Sequence, residues 1–268
     1  MKKIILILTI CLGLAAESII NGDIQIAQIS SNFAGNLTID GKKRSWHPHP
    51  KDKNLKFAIV AAGYHKKGEV VLKNELKGVT TSVIFKVEQG DYKREKISVE
   101  PSKIKPPKEV LKRIEDERKE AAKIYASSTP NLKFSSEFIA PMSSVITSPF
   151  GSARVFNELV KSYHSGTDFR AAIGTQVIAS NDGVVVIAKD RYYAGGSVVI
   201  DHGEGIYTQY YHLSKIGVKL NQKVKKGEII GLSGASGRVS GPHLHFGVIV
   251  NGVQVDPMGF IKKINALF

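Results

Sequence analysis

Apolar and polar residues alternate through much of the first third of the chain, which indicates β-structure. The stretch GDIQIAQIS alternates, LKFAIVAAGY has the form of a buried strand, and TTSVIFKVEQGDYKREKISVE suggests two strands joined by a turn at residues 89–91. Short strands at this spacing are typical of a β-sandwich. We therefore predict a β-sandwich-like N-terminal domain over residues 17–105.

A helical pattern follows this region. In PPKEVLKRIEDERKEAAKIYASS, apolar residues recur at helical spacing among alternating charges, and Pro107 suits the first turn. A helix with this many charges usually links or braces domains rather than performing chemistry. The pattern predicts a charged connecting helix within residues 106–130.

From Phe138 onward, short apolar runs are separated by Gly, Asn and Asp. The runs include GTQVIAS, DGVVVIAKD, SVVIDHG, GIYTQYYHLS and HLHFGVIVNGVQV. They predict an antiparallel all-β domain with little helix, which we assign to residues 131–268. The predicted fold class is therefore mainly β, with a sandwich-like first domain, a connecting helix and a C-terminal antiparallel β domain.

The first residues, MKKIILILTICLGLAAES, have the form of a secretory signal peptide. Two lysines precede an apolar run, and two alanines stand before Glu17. We predict that residues 1–16 are a signal peptide cleaved near Ala16, and a retained anchor is the alternative. The single cysteine, Cys11, lies in this segment, so the exported chain would use neither disulfides nor thiolate metal ligands.

The chain is basic, with a formal net charge of +14. The basic residues are spread along the sequence, which argues against a nucleic-acid-binding arm. A diffuse positive charge fits attraction to an anionic surface, and the cell wall and the membrane are the candidates for an exported protein. We expect no nucleic-acid partner and consider peripheral association with the membrane surface; a merely solvated basic surface explains the charge equally well.

Candidate chemistry is concentrated in the second half of the chain. His164 precedes Asp168 in YHSGTDFRA, and Gly166 between them lets the chain turn so that both side chains reach one point. His243 and His245 in GPHLHFGV occupy alternate positions of a predicted strand, so they share one face. These two segments together offer imidazole and carboxylate groups for a common site.

Two further histidines lie on predicted strands. His212 occurs in YYHLS, where a half-buried polar role is the alternative, and His202 in IDHGEG is expected to shape a turn. The sequence contains no glycine-rich phosphate loop, no G-x-S-x-G, no H-E-x-x-H and no cysteine placed as a nucleophile. The histidines are therefore the main candidates for catalysis.

One imidazole, one carboxylate and a second imidazole from a distant strand suit a catalytic zinc with an open position for water. Zinc lowers the pKa of bound water to about 7, and uncoordinated histidines can act as general acid or base. From the residues alone, one of His243 and His245 would bind metal and its neighbour would act on the water. An isolated H-x-x-x-D is often only a hydrogen-bonded turn, but the three segments together favour a metal site.

Residues Pro141 to Pro257 resemble the LytM/lysostaphin-type zinc metallopeptidases, which cut peptide bonds in bacterial peptidoglycan. The resemblance lies in TSPFGSARV, HSGTDFRAAIGTQVIASNDGVVVIA, GSVVIDHGEGIYTQYYHLS and VKKGEIIGLSGASGRVSGPHLHFGV. It implies that His164, Asp168 and His245 bind one Zn²⁺. It also implies that His212 and His243 form the catalytic pair, which positions or deprotonates the water and stabilises the oxyanion.

The resemblance implies a secreted zinc metalloendopeptidase that hydrolyses peptidoglycan stem peptides or cross-bridges during cell-wall remodelling. The alternative is a non-catalytic wall-binding activator of other peptidoglycan hydrolases, although such relatives typically lack some of the five site residues. The N-terminal half resembles the β-sandwich modules of Gram-negative secreted members. We therefore expect the periplasm of a Gram-negative bacterium, with peptidoglycan as the main partner and protein regulators as further candidates.

Overall fold

The computed structural model describes residues 17–97, 106–156 and 160–268. The predicted signal peptide, residues 1–16, lies outside the described residues. The described residues divide into two compact units, of which unit 1 comprises residues 17–90 and 262–268, and unit 2 comprises residues 91–97, 106–156 and 160–261. Most regular structure in both units is strand, which confirms the predicted mainly β fold class.

Unit 1 consists of two sheets with strand orders β1-β8-β7-β3-β4 and β2-β6-β5. Their side chains share one buried cluster, to which Ala27 and Val60 contribute from one sheet and Phe85 from the other. Two sheets around a common apolar layer are the arrangement of a sandwich. The strands are β1 (Ser18–Ile20), β2 (Ile24–Ser30), β3 (Asn36–Ile39), β4 (Lys42–Arg44), β5 (His47–Pro48), β6 (Leu55–Ala61), β7 (Glu69–Leu76) and β8 (Val79–Glu88), with a 3₁₀ helix at Ser31–Phe33.

Unit 2 is built on a large sheet with the strand order β10-β13-β20-β17-β16-β15-β18, in which neighbours are antiparallel. A smaller sheet has the order β12-β11-β9. The strands are β9 (Arg94–Ile97), β10 (Ile146–Ser148), β11 (Ala153–Phe156), β12 (Val160–Tyr163), β13 (Thr167–Arg170), β14 (Gln176–Ile178), β15 (Gly183–Arg191), β16 (Gly195–Asp201), β17 (Ile206–Ile216), β18 (Lys223–Val224), β19 (Ile229–Ser233), β20 (His243–Val250) and β21 (Val253–Val255). The helices are α1 (Lys108–Ala126) and α2 (Pro257–Asn265).

Helix α1 packs on one face of the large sheet. Its residues Ile124 and Tyr125 contact a buried cluster that includes Tyr207 and Ile249. Polar contacts also join it to β15, since the Nζ atom of Lys189 is 2.7 Å from a carboxylate oxygen of Glu120. The apolar stripe visible in the sequence is therefore the surface by which α1 covers the sheet.

Strand β9 follows the pattern predicted for the end of the first domain, but its partner lies elsewhere. It pairs in parallel with β11 rather than forming a hairpin with β8. The ring of Tyr92, just before β9, contacts Phe150 with centroids 6.1 Å apart. These contacts explain why residues 91–97 group with unit 2, whereas the sequence pattern placed them within residues 17–105.

Helix α2 was not among the predicted elements. Its start carries a recognisable signal, because the Asp256 carboxylate accepts a hydrogen bond from the Met258 amide (3.1 Å) and Pro257 occupies the first helical position. Phe260 and Ile264 then bury an apolar face. In the described part of the chain, no helix has the length and apolar character needed to cross a membrane.

Candidate active site

Three predicted metal ligands converge on one point in unit 2. Asp168 on β13 and His245 on β20 are direct cross-strand partners, and His164 precedes β13. The Nε2 atom of His164 is 2.9 Å from Oδ1 of Asp168 and 3.0 Å from Nδ1 of His245. Nδ1 of His245 lies 3.0 Å from the same carboxylate oxygen, and all three residues are buried. One oxygen and two nitrogens thus form a nearly equilateral triangle.

The chemistry of this triangle fits a zinc ion. In a tetrahedral site with bonds of about 2.0–2.1 Å, neighbouring ligand atoms are about 3.3 Å apart. His164 places Nδ1 3.0 Å from the carbonyl oxygen of Pro149, so Nδ1 carries the hydrogen and Nε2 of the neutral ring offers its lone pair. A cation among these converging lone pairs would relieve their mutual repulsion. The donor set of two imidazoles and one carboxylate is a common one for catalytic zinc.

Gly166 allows the ligands to come this close. A Cβ atom at this position would lie 2.6 Å from Nε2 of His245 and 2.5 Å from the carbonyl oxygen of Phe246. Both distances are too short for non-bonded contacts. The absence of a side chain at Gly166 therefore makes room for the His245 imidazole.

Two further imidazoles lie beside the triangle. Nδ1 of His212 donates to the Ser236 carbonyl and Nδ1 of His243 donates to the Gly241 carbonyl, each at 2.9 Å. In the neutral form of each ring, these bonds leave Nε2 as the nitrogen with the lone pair. The two ring centroids are 4.8 Å apart, and Nε2 of His243 is 3.8 Å from Oδ1 of Asp168. Both rings are thus oriented as proton acceptors next to the ligand set.

A backbone irregularity brings His212 to this side of the sheet. Adjacent strand residues normally face opposite ways, so Tyr211 and His212 should diverge. The register of β17 against β16 shifts here, and His212 has a φ of 65°. In such a bulge the extra residue re-aims a side chain, and a left-handed residue other than glycine costs roughly 1–3 kcal/mol. Strain of this kind often marks functional positions.

The electrostatics of the site keep its groups in the forms that metal binding requires. Burial raises the pKa of Asp168, but hydrogen bonds with His164 and His245 outweigh it and hold that pKa well below its usual range. Burial, aided by the neighbouring imidazoles, lowers the pKa of His212 to about 3. Burial also lowers the pKa of His245. At physiological pH an ionised Asp168 carboxylate therefore faces the neutral rings of His212 and His245.

The structure brings the five sequence-predicted side chains together and adds one residue that the sequence did not suggest. Tyr211 is the cross-strand partner of His245, and their rings are parallel to within 3° with centroids 5.4 Å apart. The tyrosine hydroxyl lies 3.3 Å from the hydroxyl of Tyr125 on α1. Burial raises the pKa of Tyr211 well above its usual value. Tyr211 could be identified only from the pairing of β17 with β20, which the sequence does not show.

His202 takes a structural position. Its Nδ1 is 2.7 Å from the Asp182 carbonyl oxygen and its Nε2 is 2.8 Å from the Thr208 hydroxyl. Burial lowers the pKa of His202 to about 4. Both ring nitrogens are thus used in holding neighbouring strands together.

Comparisons with known proteins agree with the geometry of the site. Residues 162–257, which contain all five site residues, match the model of Peptidase family M23. The peptidoglycan DD-endopeptidase ShyA of Vibrio cholerae is 57% identical over 95 residues, which cover 35% of this chain and 22% of ShyA. The glycyl-glycine endopeptidase ALE-1 of Staphylococcus capitis is 42% identical over 106 residues, which cover 37% of this chain and 29% of ALE-1.

A longer match comes from a solved structure. A protein from Pseudomonas aeruginosa described as peptidase M23 has a TM-score of 0.72 and 29% identity, over 92% of this chain and 97% of that one. The matches to curated relatives are shorter and span 20% to 30% of the relatives' length. The family match over residues 162–257 and the similar solved structure show that this chain contains a peptidase family M23 domain.

Proposed function

We propose that this chain is a zinc endopeptidase that hydrolyses peptide bonds in peptidoglycan stem peptides or cross-bridges. The observation that carries the proposal is the triangle of His164, Asp168 and His245, next to the two proton-accepting rings of His212 and His243. The names of ShyA and ALE-1 support the substrate class, since each is an endopeptidase and the first acts on peptidoglycan.

Zinc, when bound, would polarise the scissile carbonyl and lower the pKa of the attacking water to about 7. A neutral imidazole with a free Nε2, as in His212 or His243, accepts a proton from that water. The protonated ring then donates a hydrogen bond to the developing oxyanion and finally passes the proton to the leaving amine. The carbonyls of Ser236 and Gly241 hold the opposite nitrogen of each ring, so the tautomer needed for this transfer is already in place.

Differences in exposure indicate the side from which a substrate approaches. The His164 side chain is 3% exposed, that of His245 10% and that of His243 18%. The ligands thus lie at the bottom of the site, and the His243 ring lies nearer its opening. An extended peptide entering from this side would meet His243 before it reached the ligands.

We further propose export to the periplasm of a Gram-negative bacterium. The signal pattern in residues 1–16 supports export. The positive net charge, which is +14 for the full sequence and stays strongly positive without Lys2 and Lys3, favours contact with the anionic cell wall or the membrane surface. Protein regulators are candidate partners of the sandwich-like unit 1. Fractionation of cells that produce the full chain, followed by N-terminal sequencing, tests both cleavage near Ala16 and location.

Digestion of purified sacculi tests the enzymatic proposal. The chain without residues 1–16 and its His245→Ala variant would each be incubated with sacculi, with chelator and after zinc is restored, and released muropeptides analysed by mass spectrometry. We expect cross-linked dimers to disappear only with zinc-loaded parent protein, and the product masses identify the bond. A zinc-loaded parent that releases nothing would refute the proposal and favour the activator alternative.

A further inference from the structure

The imidazole of His245 packs closely against two neighbours. One side carries the parallel ring of Tyr211, at a centroid distance of 5.4 Å. The backbone at Gly166 also lies close to the ring, because a Cβ atom at this position would be 2.6 Å from Nε2 and 2.7 Å from Cε1 of His245. Ring rotation of His245 is therefore restricted by two neighbours.

His245 differs in this respect from His164. The second nitrogen of His164 is fixed by the Pro149 carbonyl at 3.0 Å, the usual way in which a protein orients a metal-binding imidazole. Across residues 17–97, 106–156 and 160–268, no hydrogen bond to Nε2 of His245 accompanies the packing. At His245, the stacked ring of Tyr211 restricts the orientation of the imidazole in place of a hydrogen-bonding partner.

Tyr211 is in turn held by helix α1. Gln209, which lies on the same face of β17, donates through Nε2 to the Tyr125 hydroxyl at 2.8 Å. The Tyr125 hydroxyl also shares a hydrogen bond with the Tyr211 hydroxyl, 3.3 Å away. The Tyr125 ring is fixed by an edge contact with Tyr207, with centroids 5.5 Å apart. A continuous path of contacts thus runs from α1 to a metal ligand.

We propose that Tyr211 is a positioning residue for His245, and that α1, through Tyr125, holds Tyr211 in place and is thereby part of the zinc site's support. The inference rests on the proposed zinc peptidase function, because it assigns a support to one of the ligands. Loss of the support loosens His245, so zinc should bind more weakly while the other ligands stay intact.

Direct measurement of zinc affinity tests this inference. Competition with a chromophoric chelator would give the zinc dissociation constant for the chain without residues 1–16 and for Tyr211→Leu, Tyr211→Phe and Tyr125→Phe. We expect about a tenfold weaker affinity in Tyr211→Leu, as for loss of other outer partners of metal ligands. Tyr211→Phe keeps the stacked ring, so it and Tyr125→Phe should lose roughly threefold, the effect of one hydrogen bond.

Tyr207→Phe provides the matched control. The Tyr207 hydroxyl contacts the carbonyl oxygens of Ile124 and Ser127, at 2.9 and 3.0 Å, near the end of the same helix. Tyr207→Phe removes these hydroxyl contacts but keeps the ring that packs against Tyr125, so Tyr125 and Tyr211 stay in place. Zinc affinity of Tyr207→Phe should therefore equal that of the parent.

The outcomes separate the inference from the function on which it rests. Parent-like zinc affinity in Tyr211→Leu and Tyr125→Phe would overturn the positioning role and leave the peptidase proposal standing. Equal losses in Tyr207→Phe and Tyr125→Phe would overturn the specific role of Tyr125, since any loosening of α1 would then suffice. A parent protein that binds no zinc would overturn both proposals.

Discussion

Asp168 and His245 lie directly opposite each other on antiparallel strands β13 and β20, and their Oδ1 and Nδ1 atoms are 3.0 Å apart. The ligand set therefore depends on the register of one pair of strands. A slip of one residue would turn Asp168 to the opposite face and separate the ligands. The same pairing places Thr167 opposite Phe246 on the other face, where both are buried and oppose such a slip.

Asp168→Asn should abolish stable zinc binding. The amide is similar in size to the carboxylate but carries no negative charge. The site would then hold a Zn²⁺ cation between two imidazoles without the anionic ligand that stabilises it. We expect about one zinc per chain in the parent and almost none in the variant, by elemental analysis after gel filtration. Asp190→Asn is the control, because Asp190 is an exposed carboxylate paired with Arg113. Full zinc content in Asp168→Asn would show that Asp168 is not a ligand.

His212→Ala and His243→Ala should separate catalysis from metal binding. Neither ring belongs to the triangle of ligands, so zinc content should stay close to that of the parent. Removal of a general acid or base typically lowers kcat about 100-fold to 10,000-fold. Rates of muropeptide dimer cleavage measured beside zinc content check this. A loss of less than tenfold in both variants would contradict their role as the catalytic pair.

Gly166→Ala should damage the site through a steric clash. The new methyl group would meet the backbone oxygen of Phe246, which cannot move without breaking the sheet, and the ring of His245. We expect destabilisation by about 1–3 kcal/mol and weaker zinc binding. Gly241→Ala is the comparison for thermal stability and zinc content, since a Cβ there meets no atom within 4 Å. Equal melting temperatures and zinc contents for both variants would count against the steric argument.

The stability of the zinc-free protein should depend on pH through His202. Burial lowers its pKa from 6.5 to about 4, so between these values the unfolded chain binds a proton that the folded chain does not. The free energy of unfolding should therefore fall as pH is lowered through this window, by up to roughly 3 kcal/mol. The free energy of unfolding of His202→Gln should depend less steeply on pH. The difference in slope should correspond to the uptake of up to about one proton on unfolding.

Urea denaturation of both proteins between about pH 4 and pH 7, with chelator present throughout, would measure this difference. The chelator removes any contribution from zinc release, and the titrations of other groups cancel in the comparison. Identical slopes for parent and His202→Gln would mean that His202 is not the group responsible.

Strand alternation accounts for only part of the site. It places His243 and His245 on one face of β20, as the sequence predicted. The same rule sends Tyr211 and His212 to opposite faces, and only the left-handed backbone at His212 reverses this. The identity of a histidine does not indicate in the sequence that it will adopt a left-handed backbone conformation. The convergence of H-x-x-x-D with H-x-H could be inferred, but the position of His212 required the structure or a resemblance to known proteins.

Long-range contacts explain what else the sequence did not reveal. The alternation of β9 was visible, but its parallel partner, β11, is more than 50 residues away and no local signal names it. The apolar stripe of α1 was equally visible, while the sheet face that it covers depends on how distant strands assemble. Sequence periodicity thus predicted the elements more reliably than their partners.

The packing of α1 on the sheet sets a limit for protein engineering. A recombinant fragment that begins at residue 131 would carry all five site residues but would uncover the apolar surface around Tyr207 and Ile249. We expect such a fragment to aggregate during expression, whereas one that begins upstream of Lys108 should give a higher soluble yield. A fragment intended for transfer into a chimeric enzyme should therefore include α1, and a linker is best fused before this helix.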